Sequence, residues 1–464
     1  MNYSRRDWGR RAVQWSAGAA CIALPGCPSF SASDEETGAA RSEPDARASN
    51  VPLRVVWVGR DQDVAVLKRI WSSVSDQPID VRRIESPRSN PEAMAAFWES
   101  ASTSDLAVFP MLALPEWVDR DHWMPLQPAK GSEQTQTVDS GFGDALPRRV
   151  PPMFQVATQY AGETRAEMLG GYLPAMLVGE GGGDATWANW NECEAFFLEH
   201  GPQTGVPLAP GYAAATFLAM AASSVRGDWL FESRSLHPVL STPEYTNVMQ
   251  RLIRLADSNE ECLNATPGKV WANVASGQWL AGLGYPQSRP ADQSLDAFVP
   301  VRVTELPSLS DSGPRPLDIN SQRSLLEPFS LVGSLSASCR QTAASATFLR
   351  WLTGGDGVAP LHRSIDQMIA PSRQSAFAND DTRDIETSYF EWWRGKLEQT
   401  SVVTSAPLTN AMSYYAALDE SVLDAVRGSR SATDACEDVT KAWIRLHQEV
   451  GLSQQIRLWQ RAGV

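Results

Sequence analysis

Cys27 is the residue whose neighbours most clearly specify a reaction. It closes Leu24-Pro25-Gly26-Cys27, a lipobox-type pattern in which the chain is cut before the cysteine and the thiol is acylated. Ser4-Arg5-Arg6-Asp7-Trp8 lies upstream as a twin-arginine pattern, and the weakly apolar stretch Ala12–Leu24 joins the two. The three parts predict a leader over residues 1–26, export through the twin-arginine route and lipid attachment at Cys27. Trp8 replaces the usual Phe and Pro25 is unusual in a lipobox. An ordinary secretory leader cut nearby is the alternative. The apolar stretch is shorter than the ~20 residues a bilayer span needs. Residues 28–52 are rich in Ser, Ala, Asp and Glu and nearly free of large apolar side chains, so residues 27–52 read as a disordered tether.

Elsewhere the reactive residue types do not assemble into a catalytic pattern. There is no G-x-S-x-G elbow, no H-E-x-x-H and no Walker loop. His122, His200, His237, His362 and His447 are scattered and have no second ligand at helical spacing, so no metal site and no catalytic residue is expected. Cys193, Cys262, Cys339 and Cys436 allow three pairings if all are bridged, against four buried thiols if none is. An exported address permits bridges, but folding before export takes place in a reducing compartment. With no C-x-x-C, a redox role and a cofactor are not expected. The formal charge of −14 disfavours nucleic acid as a partner. The 17 Trp suit either core packing or stacking against a planar ligand.

The elements that must position any site begin at residue 53. Residues 53–59 form an apolar run ending in Gly, the profile of a buried strand. A helix follows, with Asp61 or Asp63 near its start and Val66, Leu67, Ile70 and Trp71 at helical spacing. Residues 78–84 and 105–109 read as further strands, with a Pro-started helix over 91–101 between them. This β-α-β-α-β order implies a parallel, doubly wound sheet with ligands outside the carboxyl ends of its strands, here Gly59-Arg60-Asp61 and Pro110-Met111. Farther on, helices are predicted from a Thr186 cap through Phe197, and over 213–224, 243–257, 341–353, 412–426, 432–447 and 452–461.

In this order the segments resemble the extracellular solute-binding proteins of ABC importers, and most of all their sugar-binding, maltose-binding-protein-like family. The resemblance covers most of residues 53–464. Residues 105–128 are similar to a strand, loop, helix and Pro-Leu exit, and 170–179 to a first crossing between lobes. Residues 186–197 resemble a Thr-Trp helix start, and 267–286 a Gly-Lys segment ending in aromatic-Pro. The strand and A-x-x-F-L-x-W-L-like helix over 329–354 match best, and 369–377 resemble a later Pro-bearing loop. The glycine run Gly181-Gly182-Gly183 departs from the family, which often carries a Tyr-Asn-x-Asp-like stretch there.

The resemblance implies an α/β, two-lobed periplasmic-binding-protein type II fold with crossing hinge strands. Lobe one would be 53–170 with a return segment 288–333; lobe two would be 171–287 with 334–464, and would hold all four body cysteines. It further implies a monomer that captures a small solute, a sugar or oligosaccharide, without catalysis, and passes it to ABC permease subunits in the membrane. Placement near the implied cleft singles out Arg60, Asp61, Tyr212, Trp279, Tyr285 and Trp392 as ligand contacts, with Trp393 as the alternative to Trp392. Each also has a structural role open to it: helix capping for Arg60 and Asp61, lobe packing for the aromatics. A sensor for a membrane receptor on the same fold and an exported enzyme are the rival functions.

Overall fold

The computed structural model describes residues 50–88, 90–125, 150–287, 299–308, 323–354, 357, 361, 370–371 and 387–462. The leader, Cys27 and nearly all of the tether lie outside them.

The chain opens as its apolar periodicity predicts: β1 (Leu53–Val58), α1 (Asp61–Val74), β2 (Ile79–Ile84), α2 (Ala93–Ala101) and β3 (Leu106–Pro110). β1 pairs in parallel with both β2 and β3. Its side chains alternate between two cores. Leu53, Val55 and Trp57 pack with Leu67 and Trp71 of α1, whereas Val56 and Val58 join the core that holds Phe97 of α2. Burial on both faces explains the unbroken apolar run.

This first sheet is mixed. Beyond β3 it continues through Leu331–Leu335, Glu167–Gly171 and Ala370–Pro371. The strand Leu331–Leu335 is antiparallel to both β3 and Glu167–Gly171. Asp105 fixes the distant strand in place. Its carboxylate accepts from the Arg54 backbone at 2.9 Å, from Arg54 Nε at 3.0 Å and from the Arg340 backbone at 2.9 Å. Burial alone would raise the Asp105 pKa, but the hydrogen bonds from Arg54 hold it below the usual carboxylate value.

A second sheet orders its strands Arg302–Thr304, Ala175–Val178, Ala281–Gly284 and Thr204–Gly205. Against it pack helices, among them Ala213–Ser224, in which every residue is buried. The two sheets are the centres of two lobes. The chain crosses from the first to the second through Tyr172-Leu173-Pro174 and returns through residues 326–330.

Three expectations change. The return segment 288–333 divides: Arg302–Thr304 pairs with Ala175–Val178 in the second sheet, and the passage to the first sheet comes only at 326–330. Residues 334–464 do not fall wholly in lobe two either. The helix Thr342–Thr353 buries Phe348, Leu349 and Trp351 on the first sheet, and Cys339 lies against it, its thiol 3.4 Å from Ser345 Oγ. The helix Leu452–Ala462 also returns toward lobe one, where Tyr160 Oη donates to the Leu458 carbonyl at 3.2 Å. Finally, the helix expected from Thr186 begins at Trp190. Asn189, two residues past Trp187, accepts from the Asn191 and Glu192 amides and caps it.

Candidate functional site

Both crossings pass the carboxyl ends of the parallel strands, and the candidate site lies there. Arg60 starts at the end of β1, and Arg88 follows β2. Tyr172 occupies the first crossing; Glu327, Phe329 and Ser330 occupy the second. From lobe two come Tyr212, at the start of helix Ala213–Ser224, and Gln287, beyond the strand Ala281–Gly284. These residues line a cavity of about 50 Å³. Pockets that hold drug-sized ligands are ~300–1,000 Å³. Across the cavity Arg88 reaches the Gly211 carbonyl and the Tyr212 ring, so the two lobes touch in this conformation.

Arg88 is the centre of the site. Its side chain is 12 % exposed, and Nη2 donates to Glu327 Oε1 at 2.6 Å, with Glu327 only 2 % exposed. Nη1 donates to the Gly211 carbonyl at 3.1 Å. The guanidinium lies 4.2 Å from the Tyr212 ring centroid and 4.0 Å from that of Phe329, which gives it two aromatic faces. Burial disfavours its charge, but the Glu327 carboxylate outweighs this and holds the Arg88 pKa above its usual value. The second oxygen of Glu327 accepts from the Phe329 amide at 2.9 Å, so neither charge lacks a partner.

The backbone is shaped to admit Arg88. Gly211 has φ of +85°, and a Cβ there would lie 2.7 Å from Arg88 Cγ. Its carbonyl also accepts from Tyr415 Oη at 2.8 Å. Asp419 accepts from the Gly211 amide at 2.7 Å and the Ala214 amide at 2.9 Å, which fixes the loop to the first turn of the helix.

A tyrosine pair forms another part of the site. The Tyr172 and Tyr285 rings stack at 4.4 Å and 16°. Both hydroxyls are buried and have no hydrogen-bond partner among the described residues. Burial pushes both phenols well above their usual pKa, so both remain protonated donors. An unsatisfied buried hydroxyl costs ~1–3 kcal/mol, and two side by side mark a place where a polar ligand would be welcome. Gln287 donates to Tyr212 Oη at 3.1 Å and, through its own oxygen, accepts from the Gly268 amide at 3.1 Å.

The six residues singled out from sequence separate. Arg60 and Tyr212 line the cavity, and Tyr285 stacks on Tyr172 beside it. Asp61 points outward, 83 % exposed, and pairs with Arg83 at 2.7 Å. Trp279 is buried under Gly205, where its ring leaves no room for a Cβ. Trp392 is half-buried, 5.6 Å from the Tyr389 ring, and Trp393 is core. Arg88, Tyr172 and Glu327 were missed. The signals were slight: an Arg just after a strand's carboxyl end, and a single Glu in an apolar run. The glycine run forms a tight turn over Glu180–Gly182, in which a Cβ on Gly182 would meet the Leu280 carbonyl at 2.7 Å. The four body cysteines are free thiols. A wider hollow, about 440 Å³, lies between Trp229 and Val402–Ser405, but its Gln155, Gln159 and Arg461 are exposed and carry no buried charge.

No family model and no curated protein matches the sequence. Solved structures do match the fold. The sugar-binding protein MalE of Xanthomonas citri superposes with a TM-score of 0.62 at 14 % identity, over 87 % of this chain and 100 % of that one. Maltose-bound MalE3 of T. maritima gives 0.61 at 14 %, over 85 % and 99 %. An ABC transporter solute-binding protein of Agrobacterium vitis with bound D-mannitol gives 0.61 at 15 %, over 86 % and 99 %. The chain therefore has the two-lobed α/β fold of the MalE-type solute-binding proteins. These three structures are of a sugar-binding protein, a maltose-bound protein and an ABC transporter solute-binding protein with bound D-mannitol.

Proposed function

We propose that this protein is an extracytoplasmic solute-binding protein that captures a small polyhydroxylated solute, a sugar, between its lobes and delivers it to an ABC importer. The observation that carries this reading is the convergence, at the crossings between two α/β lobes, of Arg88, Glu327, Tyr212 and Gln287 with two orphaned phenols. Hydroxyl-rich ligands both donate and accept, and this set offers both. Arg60, Tyr212 and Tyr285 are kept as contacts, with Arg88, Tyr172 and Gln287 added; Asp61, Trp279 and Trp392 serve surface pairing and packing. Solute acts by favouring a closed state around itself. Attachment through lipid on Cys27, docking on permease subunits and action as a monomer complete the proposal. Binding rather than catalysis is its activity.

Thermal unfolding against mono- and oligosaccharides, polyols, amino acids, polyamines and metals tests it. A ligand that binds only the folded state adds about 2.7 kcal/mol of stability at a hundredfold excess over its Kd. A rise in midpoint with one sugar or polyol class is expected. A shift with amines or metals alone would keep the fold and overturn the solute.

A further inference from the structure

Arg88 belongs to lobe one by its backbone and to lobe two by its contacts. It leaves the loop after β2, crosses the cleft, donates to the Gly211 carbonyl and lies on the Tyr212 ring. It does so while paired with Glu327, on the second crossing. The cavity left beside this bridge is about 50 Å³. The lobe-two end of the bridge is itself anchored, since Tyr415 and Asp419 hold Gly211 from the helix Ala411–Val426.

We propose that Arg88 is a built-in latch, which holds the two lobes together when the cleft carries no solute. Its guanidinium fills space that a solute would need, and its partners are groups that a solute would otherwise contact. Solute entry thus begins with release of Arg88 from Gly211 and Tyr212. The resting protein is a closed form in equilibrium with an open, binding-competent one, and apparent affinity falls with the open fraction. The inference rests on the two-lobed fold and is independent of which solute is bound.

Small-angle scattering of the whole protein without added ligand tests it. Arg88→Gln and Glu327→Gln should each increase the radius of gyration over wild type. Arg83→Gln, which breaks the surface pair with Asp61, should leave it unchanged. A single change that strands a buried charge can unfold the protein, so a double variant, Arg88→Met with Glu327→Leu, removes the bridge without stranding a charge. Circular dichroism identifies the folded variants. A larger radius in the folded double variant, with the Arg83→Gln control unmoved, supports the latch. An unchanged radius in the folded double variant, or an equal increase in the control, overturns it. Neither result depends on the sugar panel, so failure of the latch and failure of the solute reading are distinguishable.

Discussion

At the scale of single residues, the site is a set of groups whose polar needs are met very unevenly. Arg88 and Glu327 are paired with each other and with backbone groups, whereas the Tyr172 and Tyr285 hydroxyls have no partner among the described residues. Tyr172→Phe should leave the thermal midpoint unchanged or slightly raised, because it removes an unsatisfied donor, and should weaken solute binding about tenfold if that donor meets a ligand hydroxyl. Isothermal titration with the solute found by the panel measures this; equal affinity in the variant would remove Tyr172 from the contact set. The cysteines give a second residue-scale prediction. Burial pushes the Cys193 thiol up, and those of Cys262 and Cys436 up to about 11, so thiolate is scarce at all three. Of the four body cysteines, half-buried Cys339 alone should take up maleimide in the native protein, as read by peptide mass spectrometry. Rapid labelling of Cys193 would contradict the packing. Residue identity was the least legible level of the sequence. Trp279 and Trp392 drew attention as aromatics yet pack inside lobe two, while Arg88 sits in a polar stretch, Glu85 to Asn90, that looks like ordinary loop.

At the scale of elements, conformational demand concentrates where the helix Ala213–Ser224 begins. Gly211→Ala would place a Cβ at positive φ and against Arg88 at once. The backbone cost alone is ~1–2 kcal/mol, so the thermal midpoint should fall by several degrees. A variant as stable as wild type would show that the loop adapts. The helices of lobe two carry a pH dependence. His447 bridges the helix Ala432–Val450 to its surroundings, with Nε2 donating to the Leu236 carbonyl at 3.0 Å and Nδ1 accepting from Tyr414 Oη at 2.9 Å. Burial lowers its pKa below 6.5, and the same holds for His122. A histidine kept neutral by folding leaves stability intact above pH 6.5. Below that value the unfolded chain gains the proton first, so stability declines as the pH falls toward the lowered native pKa. The midpoint should therefore drop as the pH falls from about 6.5 to about 5.5, and less steeply in His447→Gln. An identical slope in that variant would exclude His447 as a source. Elements were the most legible level. The run over residues 53–110 gave β1 and β3 because both are buried on both faces, while the edge strand β2 alternates buried Val81 and Ile84 with exposed residues, and the tail helices followed from their periodicity. Asn189 was passed over as a cap because Thr186-Trp187 offered an equally good local signal earlier.

At the scale of the whole molecule, two mixed sheets and two described crossings define a hinged pair of lobes, and a solute held between them should raise the thermal midpoint of both together. Topology was only partly legible. The family resemblance marked a strand within residues 329–354, but a strand's partners are set by packing far away in sequence. Its place between β3 and Glu167–Gly171, locked by Asp105 and Arg340, could not be read from its own residues. The same held for Arg302–Thr304, whose short span carries no sign of which sheet it joins.

That interior strand also bears on how the chain is made. A ribosome has polymerised Leu53 to Gly171 long before it reaches Leu331, and until then β3 and Glu167–Gly171 have no bridge between them. Lobe one is thus an unfinished sheet with exposed inner edges for about a third of synthesis, a state open to wrong pairing. Its folding is tied to completion of the chain rather than to its own early residues, with the slow kinetics that such long-range pairing imposes.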